Sequence, residues 1–179
     1  MLCIVGMPFS GKTIVSDKAR QLGIFTLTLD EIVREEMQRK GIIFTHKNKL
    51  RIDEWFHENE KELMRRIVDK ITSANNPDKM IIEGLRTTRQ IKSLNERLID
   101  SNISVLAVYA SPMVRLGRGR NMLTNADDVK ERDRIEIDRG LPEVISMADH
   151  IIVNNGDLLE FRKTVKDKLI DILNIDVKR

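Results

Sequence analysis

The sequence predicts an α/β protein, a five-stranded parallel sheet covered by helices on both faces. Three observations lead there. Short apolar runs alternate with longer stretches of helical period. The runs are short and rich in apolar residues, as strands buried on both faces should be. The first run also leads straight into a glycine-bounded loop and then a helix, the local order of a strand–loop–helix unit.

The elements follow in chain order. Leu2–Val5 is the first expected strand, and Ile14–Leu22 reads as the helix after the loop. Further strands are expected at Phe25–Leu29, Met80–Ile82, Ile103–Tyr109 and His150–Val153. Between them Trp55, Phe56, Leu63, Ile67 and Ile71 trace one helical face, and Ile91, Leu94 and Leu98 trace another. The last helix carries Leu158, Phe161, Val165, Leu169 and Ile172, with Asp157 as its N-cap and Glu160 three residues on. Repeated β-α alternation implies right-handed crossovers. With no internal repeat and no low-complexity linker, residues 1–179 are expected to form one domain.

Two stretches depart from the alternation, about residues 39–53 and about 112–140. Ligands of parallel α/β proteins sit beyond the carboxyl ends of the strands. Both stretches emerge there, which makes them candidate lids. Gly117 and Gly119 each cost a helix about 1 kcal/mol, so a break or hinge is expected between Arg115 and Arg120.

Composition narrows the function classes. The 179 residues are 41% apolar and 33% charged, with a net charge of +3. That balance permits contact with nucleic acid without demanding it; an RNA or protein partner is compatible but not implied. Cys3 is the only cysteine, which excludes a disulfide framework and a cysteine-based zinc site. His46, His57 and His150 lack ligand spacing. No apolar run approaches a membrane span and the first strand begins at the initiator Met, so the expected location is the cytoplasm.

The chemistry is carried by Gly6-Met7-Pro8-Phe9-Ser10-Gly11-Lys12-Thr13, which fits G-x-x-x-x-G-K-[ST]. In such a loop consecutive backbone N–H groups curl around nucleotide phosphates, and the helix dipole adds positive potential. Gly6, Pro8, Ser10, Gly11, Lys12, Thr13 and Ile14 are therefore the expected ATP site, with Lys12 on the β- and γ-phosphates and Thr13 on Mg²⁺. Glu83 ends the third strand, where a carboxylate either holds Mg²⁺ or belongs to an ordinary turn. Asp30 is either an N-cap or a group facing the acceptor. Phosphoryl transfer also needs cations that neutralise the moving group. Arg115, Arg118, Arg132 and Arg139 are the expected catalytic arginines, against the alternative of a salt-bridged helix face with Glu131, Asp133, Glu136 and Asp138.

In order and type these residues resemble nucleoside monophosphate kinases: Gly6–Thr13, then Asp30-Glu31-Ile32-Val33-Arg34-Glu35-Glu36, then Glu83-Gly84-Leu85-Arg86-Thr87. The resemblance implies that Arg34 and Arg86 hold the acceptor phosphate, so Asp30, Arg34, Gly84 and Arg86 are the expected acceptor-binding residues. Ala110-Ser111-Pro112, the arginine-rich stretch and Ala148–Gly156 are similar to dephospho-coenzyme A kinases. End to end, the chain resembles the archaeal adenylate-kinase-related proteins, which share both sets of features. That likeness implies a P-loop kinase core with an acceptor-binding insertion at about 30–60 and a lid at about 112–140. It further implies ATP with Mg²⁺ as donor and AMP or a related nucleotide as acceptor, in an archaeal cytoplasm. The alternatives are a dephospho-coenzyme A-type hydroxyl kinase, or an ATP/AMP-binding ATPase switch. Two departures stand out: no proline lies between Gly84 and Arg86, and Phe9 stands where small residues are usual.

Overall fold

A computed structural model of the chain describes residues 1–74, 79–98, 103–122 and 126–175. Its centre is a sheet of five parallel strands in the order β2-β3-β1-β4-β5. The strands are β1 Leu2–Val5, β2 Phe25–Thr28, β3 Met80–Glu83, β4 Ser104–Tyr109 and β5 His150–Val153. All five expected strands are present, with ends shifted by at most one residue.

Side-chain alternation divides the strands between two apolar layers. Leu2, Ile4, Ile81, Leu106, Val108 and Ile152 pack against α1 (Lys12–Gln21) and α9 (Leu158–Leu173). Cys3, Val5, Met80, Ile82, Val105 and Ala107 face the opposite layer. That layer is built from α2 (Leu29–Arg39), α3 (His46–Glu58), α4 (Glu60–Thr72), α5 (Thr88–Arg97) and α8 (Leu141–Ser146). Two further helices, α6 (Pro112–Met122) and α7 (Ala126–Asp138), fill the arginine-rich stretch; residues 123–125 of the expected lid segment lie outside the described residues. Among the described residues no helix is long and apolar enough to cross a membrane. The Cys3 thiol, in the middle of β1, is fully buried, and burial pushes its pKa up to about 12.

Local signals explain several boundaries, and some differ from expectation. Asp157 does cap α9, accepting from the N–H groups of Leu159 and Glu160. Asp30 does not cap α2. Thr28 does, in a capping box with Glu31, which moves Asp30 into the first helical turn. The face read through Trp55 to Ile71 belongs to two helices rather than one, because the chain turns at Asn59 between α3 and α4. Residues 39–53 are mostly helical, since α2 runs to Arg39 and Thr45 caps α3. The expected break at Gly117 and Gly119 does not occur: α6 runs through both. Gly119 is needed for approach instead, because a Cβ there would collide with Val129 of α7 and meet the Phe9 ring at 3.2 Å.

One buried charge joins the helical layer. Glu36 of α2 is fully covered and meets Arg39 at 2.7 Å, Lys40 at 3.2 Å and Arg66 of α4 at 2.7 Å. Hydrogen bonding from Arg39, with help from Lys40 and Arg66, draws its pKa down to about 2.

Candidate functional site

The connection leaving β1 runs toward β2, whereas that leaving β4 runs toward β5. Diverging connections open a crevice beyond the carboxyl ends of these two strands. The loop from Gly6 to Gly11 lies there. Gly11 occupies the N-cap of α1 at φ +105°, a conformation that strains any residue with a Cβ, and a Cβ would also collide with Asn154 Nδ2. No side chain caps α1, and its first turn carries no acid, so its leading N–H groups are open to an anion.

Lys12 turns back over the loop, donating to the carbonyls of Gly6 at 2.7 Å and Met7 at 3.2 Å. Burial pushes its ammonium below the ordinary value, against the upward pull of Glu83. The Ser10 hydroxyl is buried with no hydrogen-bond partner among the described residues. Ile14 N–H bonds back to Gly11 O at 3.1 Å and closes the first turn. Phe9 holds φ +62°, an uncommon left-handed conformation for a bulky residue.

Glu83 ends β3 level with Ile4 of β1 and Thr28 of β2. It accepts a hydrogen bond from Ser16 Oγ on α1, and burial raises its pKa. Among the described residues no cluster of three or more His, Cys, Asp or Glu is placed to hold a metal ion unaided. Thr13, exposed in the first turn of α1, and Glu83 supply hydroxyl and carboxylate oxygens, donors suited to a hard cation.

Two groups of arginines surround this loop. From α6, Arg115 donates to Pro8 O at 3.4 Å and Ala110 O at 3.2 Å and pairs with Asp133 of α7 at 2.7 Å. Arg118 reaches Phe9 O at 3.4 Å, Ser10 O at 3.5 Å, and both oxygens of Asn154 at 2.9 and 3.0 Å. Arg132 of α7 lies over the Phe9 ring, 5.8 Å from its centroid. The second group lies on the β2–β3 side. Arg86 pairs with Asp53 of α3 at 3.1 Å and Glu136 of α7 at 3.0 Å. Arg139 pairs with Asp53 at 3.1 Å and with Glu54. Gly84, just before, holds φ +109°.

Lys12, Glu83, Arg115, Arg118 and Arg132 thus gather around the loop, and Arg86 and Arg139 share Asp53. Two expected residues stand apart from these groups. Arg34 is exposed, with its guanidinium 4.0 Å from the centre of the Phe44 ring, and Asp30 pairs with Lys49 at 2.9 Å. The alternative of a helix face paired within itself describes Arg134 with Asp138, whereas Asp133 and Glu136 pair with arginines of other elements. Sequence reasoning missed Ser16, Asp53 and Asn154 as parts of this region. Ser16 carried a faint signal, one helical turn beyond Thr13; Asp53 and Asn154 lay inside stretches already singled out, about 39–53 and Ala148–Gly156, but no motif marked either residue.

A model of the AAA domain family matches residues 5–138. A UPF0200 protein of Hyperthermus butylicus is 32% identical over 173 residues, covering 93% of this chain and 91% of that protein. A UPF0200 protein of Thermococcus kodakarensis is 28% identical over 179 residues, covering 96% of each. Among solved structures, the dephospho-CoA kinase from Campylobacter jejuni aligns with a TM-score of 0.61 at 16% identity, over 97% of this chain and 96% of that one. The shikimate kinase from Aquifex aeolicus aligns at 0.59 and 18% identity, over 96% and 95%. These likenesses show a P-loop kinase-like fold.

Proposed function

We propose, from the premise that this chain belongs to the AAA domain family and to the archaeal UPF0200 proteins, that it transfers the γ-phosphoryl group of ATP to a nucleoside monophosphate, with AMP the favoured acceptor. One observation carries the reading: a single stretch of α7 pairs Asp133 with Arg115, which donates to Pro8 O of the phosphate loop, and Glu136 with Arg86 at 3.0 Å. The donor loop and the proposed acceptor arginine are therefore tied to the same helix.

In this reading residues 1–179 act as one domain. The loop N–H groups, the Ser10 hydroxyl and Lys12 take the donor phosphates, and residues of about 112–140 close over them as a lid. Thr13 and Glu83 would hold Mg²⁺, which would supply neutralisation of charge on the donor phosphates. An acceptor phosphate oxygen attacks the γ-phosphorus, the bond to the β-phosphate bridging oxygen breaks, and ADP leaves with the negative charge. The acceptor oxygen is already anionic, so it needs cations rather than a base. Arg86, after β3, supplies one in bidentate geometry once the acceptor displaces its carboxylate partners, and Arg34 lies in the insertion of about 30–60. Arg115, Arg118, Arg132 and Arg139 reach the site from the lid.

A second reading, phosphorylation of a hydroxyl as on dephospho-coenzyme A, is favoured by one observation. Glu83 is a half-buried carboxylate at the end of β3 with a raised pKa, the character expected of a group that accepts a hydroxyl proton. Calorimetric titration with AMP and with dephospho-coenzyme A separates the readings, each with and without the β,γ-imido analogue of ATP and Mg²⁺. AMP binding that tightens with the analogue is expected. Preference for the coenzyme would move the reaction to a hydroxyl. Binding of the analogue alone would make the chain an ATP-responsive switch with a protein or RNA partner.

A further inference from the structure

We infer that Asn154, in the loop after β5, is a positioning residue that presents the Arg118 guanidinium to the phosphate loop with its charge uncancelled. The inference rests on the reading above that Arg118 serves phosphoryl transfer.

Asn154 is almost fully buried, and each of its polar groups is used. Its backbone N–H bonds to Tyr109 O at 2.7 Å, which fixes it to the end of β4. Its side-chain Nδ2 donates to Ser10 O at 2.8 Å. Its Oδ1 and its backbone oxygen both accept from Arg118 Nη2. The amide also presses against Gly11, where a Cβ would leave it no room. One short side chain therefore joins the phosphate loop to the α6 arginine. The neighbouring Asn155 fixes the start of the same helix, accepting from Ser111 N–H at 2.7 Å.

The chemistry of the two contacts dictates the residue type. A backbone carbonyl must be met by a donor and a guanidinium by an acceptor, and asparagine offers both without charge. An aspartate would repel Ser10 O and cancel the arginine. The contrast with the neighbouring arginines is direct: Arg86, Arg115 and Arg139 each have a carboxylate within 3.1 Å, whereas the contacts of Arg118 among the described residues are neutral oxygens. A guanidinium held by neutral groups at a phosphate loop keeps its charge for an anion.

The test is a double-mutant cycle of Asn154→Ala and Arg118→Ala, read as kcat with ATP·Mg²⁺ and AMP and as calorimetric affinity for the β,γ-imido analogue with Mg²⁺. Arg118→Ala is expected to lower kcat about 100-fold, the effect of losing one charge-stabilising donor. Asn154→Ala is expected to lose at least about tenfold, with the double variant within about threefold of Arg118→Ala, because residues acting as a unit are not additive. Asn154→Ser, which keeps a donor and acceptor hydroxyl, replaces the alanine in the cycle if that variant does not fold. Asn154→Asp is expected to fall below Asn154→Ser in both kcat and analogue affinity. Additive losses across the cycle, or Asn154→Ala at wild-type kcat, would overturn the positioning role and leave the role of Arg118 standing. Wild-type turnover in Arg118→Ala would overturn both.

Discussion

Arg86 and Asp53 face each other in a two-pronged ion pair, Nη1 to Oδ1 at 3.1 Å and Nη2 to Oδ2 at 3.3 Å. Asp53 is largely buried. Burial alone would raise its pKa, but Arg86 and Arg139 outweigh that and hold it below the ordinary carboxylate value. On the function proposed above, the carboxylates of Asp53 and Glu136 occupy on Arg86 the geometry an acceptor phosphate would take.

Arg86→Ala should therefore raise the KM for AMP by about tenfold or more, the effect of losing a charge-assisted contact, while the KM for ATP moves far less. Steady-state kinetics with each substrate varied in turn measures the two. Equal increases would remove Arg86 from the acceptor site.

Lys12→Ala should cut turnover by at least about 100-fold, since its ammonium acts on charge that develops during transfer. Thermal unfolding should change little, because its hydrogen bonds are to loop carbonyls rather than to the core. Near-normal turnover would displace the donor site from this loop.

Gly117 and Gly119 should respond in opposite directions to alanine. At Gly117 the space is open, and the helical preference of alanine should stabilise the fold by about 0.5–1 kcal/mol. At Gly119 the methyl meets Val129 and Phe9, and overpacking should cost about 1–3 kcal/mol. Urea denaturation of the two variants measures both. Stabilisation by Gly119→Ala would refute the close approach of α6 to α7.

Glu36 gives the fold an acid limit. Its folded pKa is depressed, from 4.5 to about 2, so its contribution is complete above 4.5 and is lost as the pH falls toward 2. Glu36→Gln should be less stable at neutral pH by about 3 kcal/mol, as for a buried pair deprived of one charge. The gap between variant and wild type should narrow as the pH falls through that window. Thermal scans across the acid range follow it, and a gap independent of pH would deny Glu36 its ionised, paired state.

What could be read from the sequence was what is contiguous or periodic. The phosphate loop and β1 are one unbroken segment, and β4 is apolar at nearly every position, so both announce themselves. The cap of α2 was misread because Thr28 belongs to the end of β2 and to the capping box at once, and the apolar run through Leu29 hid the helix start. The partners of Arg86 lie 33 and 50 residues away in the chain, and Asn154 lies 144 residues from Ser10. Contacts at such separation are set by how helices stack on a sheet, which no local pattern encodes. The salt-bridged face considered for α7 holds in part: Asp138 pairs with Arg134 along the helix, whereas Asp133 and Glu136 pair with arginines of other elements, partners that spacing along the helix could not name.

The buried thiol of Cys3 makes the protein its own reporter. A thiol with its pKa near 12 offers almost no thiolate, the reactive form, and its fully buried position denies entry to any reagent. As it is the only cysteine, the rate of labelling by an alkylating reagent measures how often β1 becomes accessible, at one site and without an introduced probe. A ligand that binds the folded loop next to β1 slows that labelling in proportion to its occupancy, so candidate nucleotides can be ranked by their protection of a single sulfur atom.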